Sequence, residues 1–487
     1  MRLKMIKKWF NRHSFLFALV LFFVGCSTNP VTGRQDFVTM SEAQEIRLGN
    51  RYHTEIIKQY PLYDNPELQA YISDIGNRLA ANSHRSHLDF SFYLVDSPQV
   101  NAFAVPGGHI YITRGIMAYM QDEAQLAGVI GHEIGHVTAR HSVRQSAQSQ
   151  LSGLLSAAVA IGTGSQGFAQ LSTTLGGALV SGYGRKHELE SDRLGAEYLA
   201  KAGYDSRKMI EVVGILKDQE LASRERALAE GKQPSSYHGL FATHPKNDTR
   251  LKQVVSEAKK YQTPQKSITN SEKFMRLMND VAYGQNETQG IVRQNKFYHK
   301  GLDLHIEFPE GWTIQNDSDR LVAQNPSTKH AIIMQSNTLK KRVSAENFLQ
   351  QNFKSFSSGR NVRTSEDQGY AGRAIVGEGN NSQEVVVGTV YRGDRAFVMV
   401  GLGNSNSLPG DQLLDTLSSV RRLQASDQKF IKGQKLKTIR AKQGQTFARL
   451  AKNSPSLGKY AEQELRLLNG MFPTGEPKVG QLIKVVQ

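Results

Sequence analysis

The sequence predicts an α+β chain of several domains: a mainly helical domain with a small β-sheet over residues 41–262, an α/β sandwich-like domain over 297–425, and a small α/β module over 432–487. Three observations carry this. The chain has 487 residues, enough for several domains of about 100–200 residues each. Apolar residues recur at helical spacing in the first half. Past residue 297 they alternate with period two.

Residues 1–25 read as a secretory signal. Arg2, Lys4, Lys7, Lys8 and Arg12 form a basic start, and Phe15 to Val24 is an apolar run too short to span a bilayer. Cys26 is the only cysteine, which excludes an internal disulfide and a cysteine metal cluster. Phe23-Val24-Gly25-Cys26 resembles a bacterial lipobox, with Phe where Leu is usual. That resemblance implies a lipid anchor on Cys26 and a tether over 26–40, and Ser27 in the next position implies the outer membrane.

The net charge is +16, of which the first 25 residues hold five, leaving about +11 for the remainder. The basic residues are scattered and no nucleic-acid motif accompanies them. They point to a surface beside anionic lipid or cell-wall polymer, and to no nucleic acid. A hydrophobic fraction of 39% is too low for a polytopic membrane protein.

Ser41 and Gln44 have capping-box spacing, so a helix starts there. Asn65-Pro66 opens a second helix whose apolar face is Leu68, Tyr71, Ile72, Ile75 and Leu79. Phe90, Phe92 and Leu94 alternate and predict a strand over 89–95. Asn101 to Val105 and Ile110 to Thr113 are short strands around the turn residues Pro106-Gly107-Gly108. Asp122, with Gln125 three residues on, caps the next helix.

Residues 142–184 are rich in Ser, Gly, Ala and Gln, and read either as a mobile helical hairpin over a cleft or as a packed pair of small-residue helices. An acidic helix over 186–201 ends at Gly203. A helical linker over 263–296 carries a short helix near 271–282. Leu302, Leu304, Ile306 and Phe308, then Val385 and Val387, alternate as strands do. The tail has a β-like start, a helix after Gln445-Thr446, and a closing strand at Ile483-Lys484-Val485-Val486.

The chemistry lies in His132-Glu133-Ile134-Gly135-His136. A helix puts residues i and i+4 on one face, so His132 and His136 can hold one zinc ion. Zinc lowers the pKa of water towards ~7, and Glu133 stands where a carboxylate can take the proton and pass it to a leaving amine. A catalytic zinc needs a third protein ligand. His187, Glu188, Glu190 and Asp192 on the downstream helix offer one, with Glu188 and Asp192 at i, i+4 so that one can brace a histidine. Taken alone, that cluster reads as a solvated acidic face. His244-Pro245 is a turn residue pair by itself; near a zinc cleft His244 can donate to an oxyanion or fill the fourth metal position, and Arg250 can do similar work. Arg140 and His141 read as cations at a helix C-terminus.

With Asn101-Ala102-Phe103-Ala104-Val105-Pro106-Gly107-Gly108 before it, His132 to His141 resembles the gluzincin-type zinc peptidases that include the CaaX prenyl endopeptidase and the HtpX and BepA proteases. The resemblance covers about residues 40–260 and implies a zincin-type fold. The family's Glu-x-x-Ala-Asp pattern matches Glu188-Leu189-Glu190-Ser191-Asp192, with Ser for Ala, which implies Glu188 as third ligand and Asp192 as its brace. Thr243-His244-Pro245 and Arg250 match the family's late element. In the family an edge strand receives substrate as an added strand, which implies Asn101 to Val105 here.

The absence of multiple spans resembles the lipid-anchored envelope branch, which implies the periplasm, one Zn2+ per chain, and misfolded or misassembled envelope proteins as substrates. Phe308-Pro309-Glu310-Gly311-Trp312 resembles PsbP-like domains. Gly444-Gln445-Thr446, Leu468-Asn469-Gly470 and Gly480-Gln481-Leu482-Ile483 resemble a LysM module, which implies peptidoglycan contact. The alternative to a metalloendopeptidase is a chaperone or scaffold lipoprotein of outer-membrane protein assembly.

Overall fold

The computed structural model describes residues 26–38, 40–147, 183–231, 256, 259–261, 267–316, 320–339, 343–353, 355–377, 382–403 and 407–487. The chain divides into two compact units, Met1–Val281 together with Lys435–Gln487, and Ala282–Gln434.

The expected tether is folded. Strands β1 (Cys26–Thr28) and β2 (Gln35–Phe37) form an antiparallel hairpin. Asn29 closes it: its side-chain carbonyl accepts from the amides of Val31 and Thr32, and its amide donates to Asp36. Helix α1 (Glu42–Gln59) starts on the expected capping box, and α2 (Pro66–Ala80) on Asn65 with Pro66 in its first turn. Strands β3 (Ser91–Val95), β4 (Ala102–Val105) and β5 (His109–Thr113) make one sheet in the order β3-β5-β4. Strand β5 runs parallel to β3 and antiparallel to β4. The turn between β4 and β5 places Gly107 at φ 83°, where a Cβ would lie 2.9 Å from Ile46 Cα of α1. The short α3 (Arg114–Met117) leads to α4 (Glu123–Thr138), every residue of which is buried. Against it pack α5 (Arg185–Lys201) and α6 (Lys208–Ala229). Among the described residues no helix is long and apolar enough to cross a membrane.

The expected helical linker over 263–296 is helical, among its described residues, only in α7 (Ser271–Leu277); the second unit already begins at Ala282. Gly284 and Gly290 both take positive φ and turn the chain, and β6 (Ile291–Arg293) follows. It pairs with β7 (Lys296–His299), which pairs with β8 (Leu304–Glu307).

A seven-stranded antiparallel sheet fills most of this unit. Its strands are β9 (Thr313–Asn316), β10 (Leu321–Gln324), β11 (Ala331–Thr338), β12 (Ser357–Arg363), β13 (Gln368–Val376), β14 (Gln383–Arg392) and β15 (Arg395–Leu402). Their order is β9-β10-β11-β15-β14-β13-β12. Both faces are covered. Leu349 of α8 (Ala345–Asn352) joins Val385 and Val387, and Leu413 and Leu417 of α9 (Gly410–Ser418) join Val386, Phe397 and Met399. The alternating valines are therefore buried on both sides rather than on one, as a sheet between helices requires.

The tail holds β16 (Gln434–Arg440), α10 (Phe447–Lys452), α11 (Ala461–Leu468) and β17 (Leu482–Val486), with β16 antiparallel to β17. From Lys435 on it packs as part of the first compact unit. The physical reason is a polar seam before α4. Lys484 Nζ donates to the carbonyls of Ala118 and Met120. The Tyr119 hydroxyl donates to Glu464 at 2.6 Å, and Arg226 of α6 donates to the same carboxylate at 2.7 Å. Burial pulls the Lys484 ammonium well below the ordinary lysine range.

Candidate metal centre

Two helices build the site. Asp122 caps α4 by accepting from the amide of Gln125 at 2.8 Å, and ten residues later the helix delivers His132 inside the fold. Helix α5 crosses it closely because the contact surface is nearly side-chain-free. A Cβ on Gly131 would lie 3.4 Å from Gly195 Cα, one on Gly195 would lie 3.1 Å from the His132 amide nitrogen, and one on Gly135 would lie 3.0 Å from Ser191 Cα. This approach brings Glu188 and Asp192 to the histidines. Gly135→Val therefore overpacks the crossing and should cost about 1–3 kcal/mol, read as a lower melting temperature with weaker zinc retention; an unchanged melting curve would contradict this packing.

His132, His136 and Glu188 offer donor atoms that all lie within 4.8 Å of one another. His132 Nε2 is 3.0 Å from His136 Nε2, and Glu188 stands 3.5 Å from the first and 3.4 Å from the second. Two ligands at ~2.0–2.1 Å from one tetrahedral ion would stand about 3.3 Å apart. Two imidazole nitrogens and a carboxylate at these spacings fit zinc, and three protein ligands leave one position open, as a catalytic site requires. All three residues are buried, as is Glu133 beside them on α4.

Each histidine is braced. His132 Nδ1 meets Asp192 Oδ1 at 2.9 Å. Burial pulls the His132 pKa down, but the hydrogen bonds to Asp192 and Glu188 outweigh it and raise it to about 9. His136 Nδ1 meets His141 Nδ1 at 2.8 Å, and its ring stacks on Tyr183 with centroids 4.0 Å apart. His141 Nε2 meets Glu190 at 3.1 Å, and Arg144 meets the same oxygen at 3.0 Å. Burial holds His141 below its ordinary value. Burial raises Glu190, but His141 and Arg144 override it and hold that carboxyl down at about 2.

Zinc takes the neutral imidazole, so it must displace the proton that Asp192 and Glu188 favour on His132. The expected result is a zinc affinity that rises about tenfold per pH unit between roughly pH 7 and pH 8, and flattens above about 9. Chelator competition at two pH values checks the sign. Asp192→Asn should flatten the slope.

The structure brings together His132, Glu133, His136, Glu188 and Asp192 from the residues singled out by sequence. His187 stays outside the ligand group and stacks on His141, centroids 4.3 Å apart. His244, Arg250 and most of the 142–184 stretch lie outside the described residues. Strand β4 is at a sheet edge, and Ala104 and Val105 share a small pocket with His136 and Tyr183. His141 and Tyr183 were not read as site residues, and Glu190 was offered only as one candidate for the third ligand. Arg140 takes a left-handed φ of 54° and turns His141 back over His136, a step that no glycine marks in the sequence.

Residues 66–258 match the family model described as Peptidase family M48. Over those residues the chain is similar to M48 peptidases. That match starts at the first residue of α2 and spans both helices that bring the ligands. Peptidases of this family are zinc-dependent, in keeping with the donor set. The "Beta-barrel assembly-enhancing protease" of Yersinia pestis is 33% identical over 238 residues, 47% of this chain and 47% of its own. The protein of the same name from Escherichia coli is 30% identical over 241 residues, again 47% of each chain. "Mitochondrial metalloendopeptidase OMA1" of Schizosaccharomyces pombe is 27% identical over 241 residues, 48% of this chain and 67% of that protein. The chain thus spans about half the length of the assembly-enhancing proteases it matches.

Proposed function

We propose that this chain is a zinc metalloendopeptidase of the bacterial cell envelope that cuts misfolded or assembling envelope proteins. The convergence of His132, His136 and Glu188 at ligand spacing carries this reading. In it these three hold the zinc, and Asp192 fixes the His132 ring. When bound, zinc supplies Lewis acidity and acidifies water. Glu133 takes the proton of the attacking water on its carboxylate and returns it to the leaving amine nitrogen. The segment Asn101 to Val105, which includes β4, pairs with the substrate backbone, so side-chain demands are weak and many unfolded sequences are accepted. His244 and Arg250 are assigned to the oxyanion.

The envelope setting is supported by the names of the relatives and by the secretory-signal-like residues 1–25 before Cys26, on which the reading places a lipid anchor in the inner leaflet of the outer membrane. Residues 297–425 serve as a PsbP-like accessory domain, and the tail as a LysM-like module with access to peptidoglycan. The helical first domain is read as zincin-type. The test is digestion of an unfolded outer-membrane β-barrel protein by the purified chain. Cleavage that stops with a chelator and returns with zinc is expected. Cleavage indifferent to the chelator, or confined to folded substrate, refutes the reading.

A further inference from the structure

Resting on the zinc reading of the site, we infer that His141 is a positioning residue: its Nδ1 accepts a hydrogen bond from the Nδ1–H of His136 and fixes that ligand's tautomer and ring plane through a relay ending at Glu190 and Arg144. The hydrogen-bond pattern leaves one consistent assignment. His136 turns Nε2 towards Glu188, 3.4 Å away, and towards His132 Nε2, 3.0 Å away. A neutral imidazole that offers the Nε2 lone pair carries its hydrogen on Nδ1. That hydrogen points at His141 Nδ1, 2.8 Å distant. Two Nδ1 atoms so close cannot both carry hydrogen, so His141 is the acceptor there and holds its own hydrogen on Nε2. At 3.1 Å from that nitrogen stands Glu190 Oε2, which accepts.

Arg144 locks the far end. It donates to the same Glu190 oxygen at 3.0 Å, and its Nε pairs with Asp36 at 3.1 Å. His141 is fully buried and stacked on His187 at an interplanar angle of 19°, which restrains its ring. Ser191 Oγ also approaches His141 Nδ1, at 3.4 Å, too long to compete with His136.

The two ligand histidines are therefore braced unequally. His132 meets a carboxylate directly, whereas His136 reaches one only through a second imidazole. Partners of this kind usually hold a ligand ring in place, and losing one weakens metal binding about 10–100-fold. The relay also ties the hairpin residue Asp36 to the ligand through Arg144.

The test uses the full chain and two readouts besides activity. Nitrogen-15 spectra of the zinc-loaded protein should place hydrogen on His136 Nδ1 and on His141 Nε2. Chelator competition should give a zinc Kd about 10–100-fold weaker for His141→Phe. His141→Gln, whose carbonyl can accept from His136, should recover most of the affinity with the same melting temperature. Should His141→Phe fail to fold, Glu190→Ala on the half-buried end of the relay decides, with a several-fold loss expected. Wild-type affinity in the variant that folds, or hydrogen on His141 Nδ1, overturns the relay. His132→Ala separates the two claims: loss of zinc there, with zinc kept in His141→Phe, sinks the relay alone, and zinc kept in both sinks the site as well.

Discussion

Glu133→Gln should lower peptide-bond turnover by about 10²–10⁴-fold while the chain keeps its zinc and its fold. Glu133 is 1% exposed and follows the first ligand on α4, yet it does not belong to the ligand group. Glutamine matches its shape and fills the same volume. What it lacks is a site that accepts a proton at neutral pH, so only proton transfer is lost. The proposed pairing of substrate along β4 does not involve Glu133, so the variant should still capture unfolded chains. Turnover within about threefold of wild type would mean that the proton goes elsewhere.

Removal of residues 435–487 should destabilise the peptidase unit itself. The tail meets residues 118–121, directly before the cap that starts α4. Gln121 donates to the Leu468 carbonyl at 3.0 Å, beside the Tyr119–Glu464 contact and the buried Lys484. Hydrogen bonds to charged groups contribute about 1.5–3 kcal/mol each. Loss of two such contacts, those of Tyr119 and Arg226 to Glu464, predicts a drop of roughly 6–12 °C in melting temperature for a unit of this size. Zinc retention should fall with it, since the loop that aims α4 loses its anchor. A truncated chain that melts with the full-length protein would make the tail an independent module.

Much of the site was legible because its parts are local. Capping residues Ser41, Asn65 and Asp122 announce their helices, and one turn of α4 spells out two ligands and a base. Glu188 needed the family resemblance, because a run of His, Glu and Asp on one helix does not say which carboxylate faces inward. Gly131, Gly135 and Gly195 make that inward face possible, and their purpose shows only when two helices cross. His141 was read as a helix-end cation because the left-handed Arg140 leaves no trace in the sequence. Nothing local in the sequence marks Glu464 and Lys484 as buried, and it is long-range docking that buries them. A short strand such as β6 was lost in the linker because three residues are too few to display a period.

The most direct test is the zinc content of wild type and of Glu188→Ala, purified without added chelator and measured per chain. Glu188 is the ligand that only the crossing of α4 and α5 supplies. Stoichiometric zinc in wild type with near-complete loss in Glu188→Ala is the expected result. Stoichiometric zinc retained by Glu188→Ala would contradict the three-ligand centre.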